Sequence, residues 1–137
     1  MNEVFADAWF FIALLDERDS NHKRVSEYSQ NNDHPLVTTR WILAEVGAAL
    51  ADSPNRAEVA TFLAGAGIDD DMEVVTDSDE WYDRGLALFV KRPDKQWSLA
   101  DCASFALMDE RCIQQALTGD KHFRQAGFTA IFAVLSS

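Results

Sequence analysis

The sequence predicts an α/β fold, a three-layer α/β/α sandwich with a central parallel sheet, on three observations. Short apolar or β-branched runs alternate with helical patterns along the whole chain. Those runs lack the in–out alternation of a sheet with one wet face, so both faces are covered. The 137 residues, 47% hydrophobic and 11% aromatic, offer the apolar surface of a single folded domain spanning 1–137 and exclude a disordered chain.

The elements follow in order. Val4 to Ala6 reads as a short buried strand running into Asp7, and the apolar stretch Trp9 to Leu15 as a helix. Ser20 is suited to cap a helix through about Asn31. Leu36-Val37-Thr38-Thr39 is β-branched and reads as the second strand. Arg40 to Ala51 is an Ala/Leu-rich helix, and Ser53-Pro54 starts another, to about Ala64, with proline at its first position. Gly65 and Gly67 close it, and Met72 to Thr76 is the third strand. Asp77-Ser78-Asp79-Glu80 opens a helix ending at Lys91 and Arg92, acids first and bases last as the helix dipole favours. Ser98 caps a helix to about Arg111; Gln115 to Thr118 is the fourth strand, Lys121 to Gln125 a short helix, and Phe128 to Leu135 holds the fifth strand.

Charge and cysteine content narrow the function classes. Twelve Lys and Arg against 23 Asp and Glu give a net charge of −11, which opposes a nucleic-acid partner unless something local reverses the sign. The longest apolar run, Ala8 to Leu15, is far shorter than the ~20 residues of a membrane span. Acids rather than bases precede it, which is wrong for a secretory signal. Cys102 and Cys112 fall in one helical pattern, about 15 Å apart along its axis and too far for a disulfide. A reduced, soluble, cytoplasmic protein is the expectation.

Ligands of parallel sheets bind beyond the carboxyl ends of the strands, so polar residues there carry the functional information. Asp7 ends the first strand inside an apolar stretch, as a helix cap or as a functional carboxylate. Glu45 has Trp41, Ile42, Ala48 and Ala49 at its i±3 and i±4 positions, so it is either a thin wet stripe with Asp52 or a site residue. Asp101 fits a capping box with Ser98 and also borders the core. Asp120 follows the fourth strand beside the Thr118 hydroxyl and could cap the next helix. Four carboxylates at the rim of one sheet repel one another unless protonated or bound to cations. An oxygen-only set selects Mg²⁺ or Mn²⁺, and such sites serve phosphoryl chemistry. Divalent ions would also turn a phosphate-repelling pocket into an attracting one, which answers the objection from net charge.

These segments are recognisable. Val4-Phe5-Ala6-Asp7 with its apolar helix, Leu14 to His22, Glu45 in an Ala-rich helix, Trp97-Ser98-Leu99-Ala100-Asp101-Cys102, and Leu117-Thr118-Gly119-Asp120-Lys121-His122-Phe123 before Gln125-Ala126-Gly127-Phe128 resemble, in order, the motifs of the PIN-domain family. The resemblance spans essentially the whole chain. It implies a metal-dependent ribonuclease of the kind found as VapC-type toxins of toxin–antitoxin pairs, with metal-binding and catalytic roles on Asp7, Glu45, Asp101 and Asp120 and supporting hydroxyls on Ser98 and Thr118. It further implies an RNA substrate, a homodimer, and an antitoxin that places an Arg near the acids. The charge balance points the same way, because a carboxylate pocket attracts a guanidinium. Ala8 stands where the family commonly has Thr or Ser. The alternative reading is a PIN-like scaffold that binds RNA or a protein partner without cleaving.

Other features have plainer accounts. His122 reads as a surface cap rather than a phosphate contact, His22-Lys23-Arg24 as a solvated face, and Lys91, Arg92 and Lys95 as complement to a helix dipole. Asp69-Asp70-Asp71 reads as a turn. A receiver-type phosphoacceptor would need a Lys at the end of the final strand, and an Asp-x-Asp phosphatase fails because position 9 is Trp.

Overall fold

In the computed structural model, which describes residues 2–68, 71–76 and 79–133, five strands form one all-parallel sheet. They are β1 (Val4–Ala6), β2 (Leu36–Thr39), β3 (Met72–Val75), β4 (Gln115–Leu117) and β5 (Thr129–Ala130), in the order β3-β2-β1-β4-β5. The seven helices among the described residues are α1 (Ala8–Leu15), α2 (His22–Asn31), α3 (Arg40–Ala49), α4 (Arg56–Gly65), α5 (Asp79–Lys91), α6 (Leu99–Glu110) and α7 (Lys121–Gln125). α1 packs on α2 and α3, and α3 on α4. α5 and α6 pack on each other, and α6 on α7. These two helical groups make the outer layers that the sequence predicts, because parallel strands leave both sheet faces to be covered.

Strand order decides where a ligand site can lie. The chain runs outward from β1 through β2 to β3, then returns to pair β4 on the other side of β1. The direction reverses between β1 and β4, where the register sets Ala6 opposite Leu117. The next residues, Asp7 and Thr118, therefore emerge side by side at the switch point, the crevice in which parallel sheets bind ligands.

The core is continuous from the central strands into both layers. Phe5, Phe10, Phe11, Leu107, Leu117 and Phe123 are all fully or almost fully buried. Phe5 and Phe105 both pack against the Phe123 ring, at 6.1 and 5.0 Å between centroids, the second pair edge to face. Gly85 lets α5 press on α6: a Cβ there would sit 2.8 Å from the Ala103 backbone nitrogen.

Several element boundaries differ from the sequence reading. α2 begins at His22 rather than after Ser20, because Asp19 accepts the Asn21 N–H at 2.8 Å and holds a turn there. α4 begins at Arg56, not at Pro54. Asn55 is drawn away from helix geometry by donating to the Leu15 carbonyl at 2.5 Å and accepting from the Ser53 hydroxyl. β5 is two residues long, since the chain turns at Ile131 and Phe132 to bond back to Ala116 and Thr118. Asp69, Asp70, Asp77, Ser78 and the stretch from Val134 lie outside the described residues.

Candidate active site

Each acid of the sequence reading reaches the carboxyl edge of the sheet by a different local route. Asp7 occupies the N-cap position of α1, yet its side chain makes no cap hydrogen bond. Instead its Oδ2 accepts from the Thr118 hydroxyl at 2.8 Å. Thr118 Oγ1 in turn accepts the backbone N–H of Asp120 at 3.0 Å. A single hydroxyl thus ties the ends of β1 and β4 together. Asp7 is only 6% exposed and Thr118 wholly buried, so this is a carboxylate in low dielectric with one side-chain donor.

That environment raises the Asp7 pKa from 3.8 to about 7. Loss of hydration is the main cause; the Thr118 hydroxyl and the Ala8 backbone N–H oppose it, while the charges of Asp101 and Glu45 add to it. The electrostatic coupling also shows which groups share the pocket: Asp101 and Glu45 both act on Asp7, and Asp101 acts on Glu45.

Glu45 lies on α3, which starts where Thr39 at the end of β2 caps it by accepting the Ile42 N–H at 3.2 Å. Its carboxyl is raised by lost hydration and then by Asp101, although the residue as a whole is exposed. It borders a cleft of about 410 Å³ walled by Trp41, Tyr82 and Leu99 and floored by alanines of α3 and α6.

Asp101 and Asp120 do two things at once. Asp101 completes a capping box with Ser98: its Oδ2 accepts the Ser98 N–H, and Ser98 Oγ accepts the Asp101 N–H, both at 3.0 Å. Asp120 caps α7 by accepting the His122 N–H at 3.0 Å. Both carboxylates also face the His122 ring. His122 Nδ1 lies 3.1 Å from Asp101 Oδ2 and 3.4 Å from Asp120 Oδ2, and one ligand atom from each of the three residues falls within 4.8 Å of the others. The plain and functional accounts of these acids are therefore compatible, since each of the two carboxylates both caps a helix and approaches His122, and Asp101 also acts on Asp7 and Glu45.

His122 is the residue whose surroundings differ most from the sequence reading. Its backbone does stand in the cap, but its ring bridges two acids. The signal was its spacing of two residues from Asp120, which turns the ring back over the helix start. Gly119 is the other. A Cβ there would lie 2.6 Å from the Trp9 ring, so the indole of α1 lies directly on the loop that carries Thr118 and Asp120. Ser98 contributes through the capping box with Asp101.

The donor set suits a hard divalent cation: carboxylate oxygens predominate, with one imidazole at the margin. Among the described residues no cationic side chain is a cause of the raised Asp7 pKa, and a bound cation would lower it.

A profile of the PIN domain matches residues 4–129. The chain belongs to the PIN-domain family. Among curated relatives, the 23S rRNA-specific endonuclease VapC20 of Mycobacterium tuberculosis is 26% identical over 129 residues, covering 93% of this chain and 97% of the relative. The crystal structure of M. tuberculosis VapC20, described as a sarcin–ricin loop cleaving toxin, superimposes with a TM-score of 0.85 at 22% identity, covering 93% of this PIN domain and 98% of that chain. A toxin–antitoxin complex from Klebsiella pneumoniae matches with a TM-score of 0.61 at 14% identity, over 86% and 87% of the two chains. These structural likenesses bear on the fold, and on it they agree with the PIN assignment. No described helix is long and apolar enough to cross a membrane.

Proposed function

We propose that this PIN domain is a metal-dependent endoribonuclease that hydrolyses RNA phosphodiester bonds, the toxin of a toxin–antitoxin pair, with Mg²⁺ or Mn²⁺ held by Asp7, Glu45, Asp101 and Asp120. The observation that carries the reading is Asp7. A carboxylate 6% exposed at the sheet's switch point, with two further acids raising its pKa, is a costly arrangement for stability alone. The relative named as a 23S rRNA-specific endonuclease supports an RNA substrate, and the toxin–antitoxin neighbour supports an antitoxin partner.

A bound divalent ion supplies positive charge that lowers the pKa of attacking water and stabilises the leaving oxygen. The chain's own residues fix the geometry around it. Thr118 aims the Asp7 carboxylate and holds the β4 end against it, which supplies from another strand the hydroxyl that Ala8 lacks. Ser98 fixes the rotamer of Asp101 through the capping box. His122 sits between Asp101 and Asp120, where it keeps the two acids at a constant separation and faces any phosphate that approaches them. The same acids would receive an Arg side chain from an inhibitory antitoxin.

The test is Asp101→Asn, assayed on a labelled RNA pool with and without Mn²⁺. Asparagine preserves an acceptor for the Ser98 N–H, so folding stability changes by less than the ~0.5–2 kcal/mol of a lost cap, while Mn²⁺-dependent cleavage collapses. Mn²⁺ also raises the melting temperature of the unmodified protein by linkage, and much less for the variant. A folded Asp101→Asn protein that still cleaves refutes the role given to this residue. Absence of any metal-dependent cleavage by the unmodified protein favours the non-cleaving scaffold.

A further inference from the structure

We propose that a basic strip beside the acids, formed by Lys121 on α7 and Lys95 in the loop before α6, carries the RNA strand into and out of the site. Positions 91–98 and 121–128 hold five of the chain's twelve Lys and Arg and a single acid, Asp94, in a protein of net charge −11. Both segments adjoin the acids in sequence: one leads through Ser98 to Asp101, and the other begins next to Asp120. The helix dipole accounts for Lys91 at the end of α5. It does not account for Lys95, which lies beyond Pro93. Nor does it account for Lys121, at the first position of α7, where the dipole disfavours a cation.

The fold brings the two segments together. Trp97 donates its indole N–H to the Gln125 side chain of α7 at 3.1 Å, and Lys95 Nζ lies 5.9 Å from the centre of the same indole. On a helical projection of α7, Lys121 and Gln125 are about 40° apart, and both point away from the buried Phe123. His122 turns to the flank on which it meets Asp101 and Asp120. Lys95, Trp97, Gln125, Lys121 and His122 thus follow one another along a continuous surface that ends at the acids. Three residues of chain separate Lys95 from Ser98, a span of at most about 11 Å. The lysine therefore stays within reach of the nucleotides that flank a bond held at the acids.

Two features suit this strip to a phosphate chain rather than to an internal ion pair. Arg92, which also lies over Trp97, is held by Asp94 through two bonds of 2.9 Å, so the one acid of the two segments is already engaged. Neither Lys95 nor Lys121 forms an ion pair among the described residues. The indole also fixes where the Lys95 ammonium stands, which lessens the freedom lost when it meets a phosphate. A polyanion approaching a protein of this net charge is repelled except where the local sign is positive. The strip supplies that sign beside the acids.

The choice of RNA rests on the nuclease reading, and the test separates the two. Anisotropy titrations of a labelled single-stranded RNA oligonucleotide, with chelator present so that no metal-dependent cleavage intervenes, give the affinity and its dependence on salt. Each phosphate contact on a single strand contributes about 0.7 to the slope of log affinity against log salt, which is about fourfold in affinity at ~0.15 M. Lys95→Gln and Lys121→Gln each lower slope and affinity by about those amounts, while thermal melting shows folded chains. Arg56→Gln removes the same charge at the start of α4, where Asn55 meets the end of α1 remote from Asp7, and changes neither. With Mn²⁺ present, the effect of the lysine variants on cleavage falls on KM rather than kcat. Folded lysine variants with unchanged slope and KM overturn the proposal. An equal effect of Arg56→Gln also overturns it, because net charge alone would then be acting. Lysine-dependent RNA binding without any Mn²⁺-dependent cleavage leaves the strip standing and removes the nuclease reading.

Discussion

Replacing Asp7 by Asn removes one negative charge from the least exposed acid of the site, and its effect on stability has a definite dependence on pH. Raising a carboxyl from 3.8 to about 7 on folding corresponds to about 4 kcal/mol, at roughly 1.4 kcal/mol per tenfold change in the proton equilibrium. The folded state holds the proton more tightly than the unfolded one, so the chain is most stable below pH 3.8 as far as this group is concerned. That contribution is lost as pH rises through about 7. Between pH 5 and pH 8 the loss is about 2.5–3 kcal/mol, a ceiling because water entering the pocket reduces it. Asparagine carries no charge, keeps an oxygen to accept the Thr118 hydroxyl, and has no such slope. In chelator-treated protein, the melting temperature of Asp7→Asn relative to the unmodified chain therefore rises by roughly 7–9 °C from pH 5 to pH 8, at about 3 °C per kcal/mol for a domain of this size. The assay is a pair of thermal melts at each pH, and the readout is the difference between proteins, which removes the pH response of shared groups. A difference independent of pH would show that Asp7 titrates as a solvated carboxylate and would refute the account of it as a desolvated one.

Other perturbations test the contacts around it. Thr118→Val keeps the shape but removes both the donor to Asp7 and the acceptor of the Asp120 N–H; it costs about 1.5–3 kcal/mol in a melt at pH 8 and lowers RNA cleavage. Gly119→Ala places a methyl 2.6–3.0 Å from three Trp9 ring atoms, so the indole shifts, with about 1–3 kcal/mol of destabilisation and a changed tryptophan near-ultraviolet circular dichroism signal. On the proposed reading, an antitoxin segment that brings an Arg to these acids would compete with the cation, so its affinity, measured by titration, should fall as Mn²⁺ rises and fall again with Glu45→Gln; indifference to both places the inhibitory contact elsewhere.

The parts of the fold that were legible in the sequence are those dictated by local chemistry. Val4-Phe5-Ala6 has no polar atom outside its backbone and reads as a short buried strand, which it is, at the centre of the sheet. The Ser98–Asp101 box and the Asp120 cap follow from side chains that bond within three residues of themselves. Boundaries governed by distant partners were not legible. The start of α4 depends on Asn55 reaching Leu15, 40 residues away in sequence, and the shortness of β5 on its return bonds to β4. The same division runs through the site. The acids could be found one by one, but their order of burial could not. Nothing near Asp7 in the sequence says that its hydroxyl partner is 111 residues downstream, and nothing near His122 says that its ring meets Asp101.

The double duty of Asp101 and Asp120 has an evolutionary consequence. Aspartate and asparagine codons differ by one base, and asparagine is as good a helix cap as aspartate. At both positions a single-base change therefore discards the negative charge while the helix start stays satisfied. If the two carboxylates hold the cation as proposed, a lineage in which the activity becomes harmful has a short route to an inert descendant that still folds, so folded but silent copies should arise more easily in this architecture than in one whose acids cap nothing.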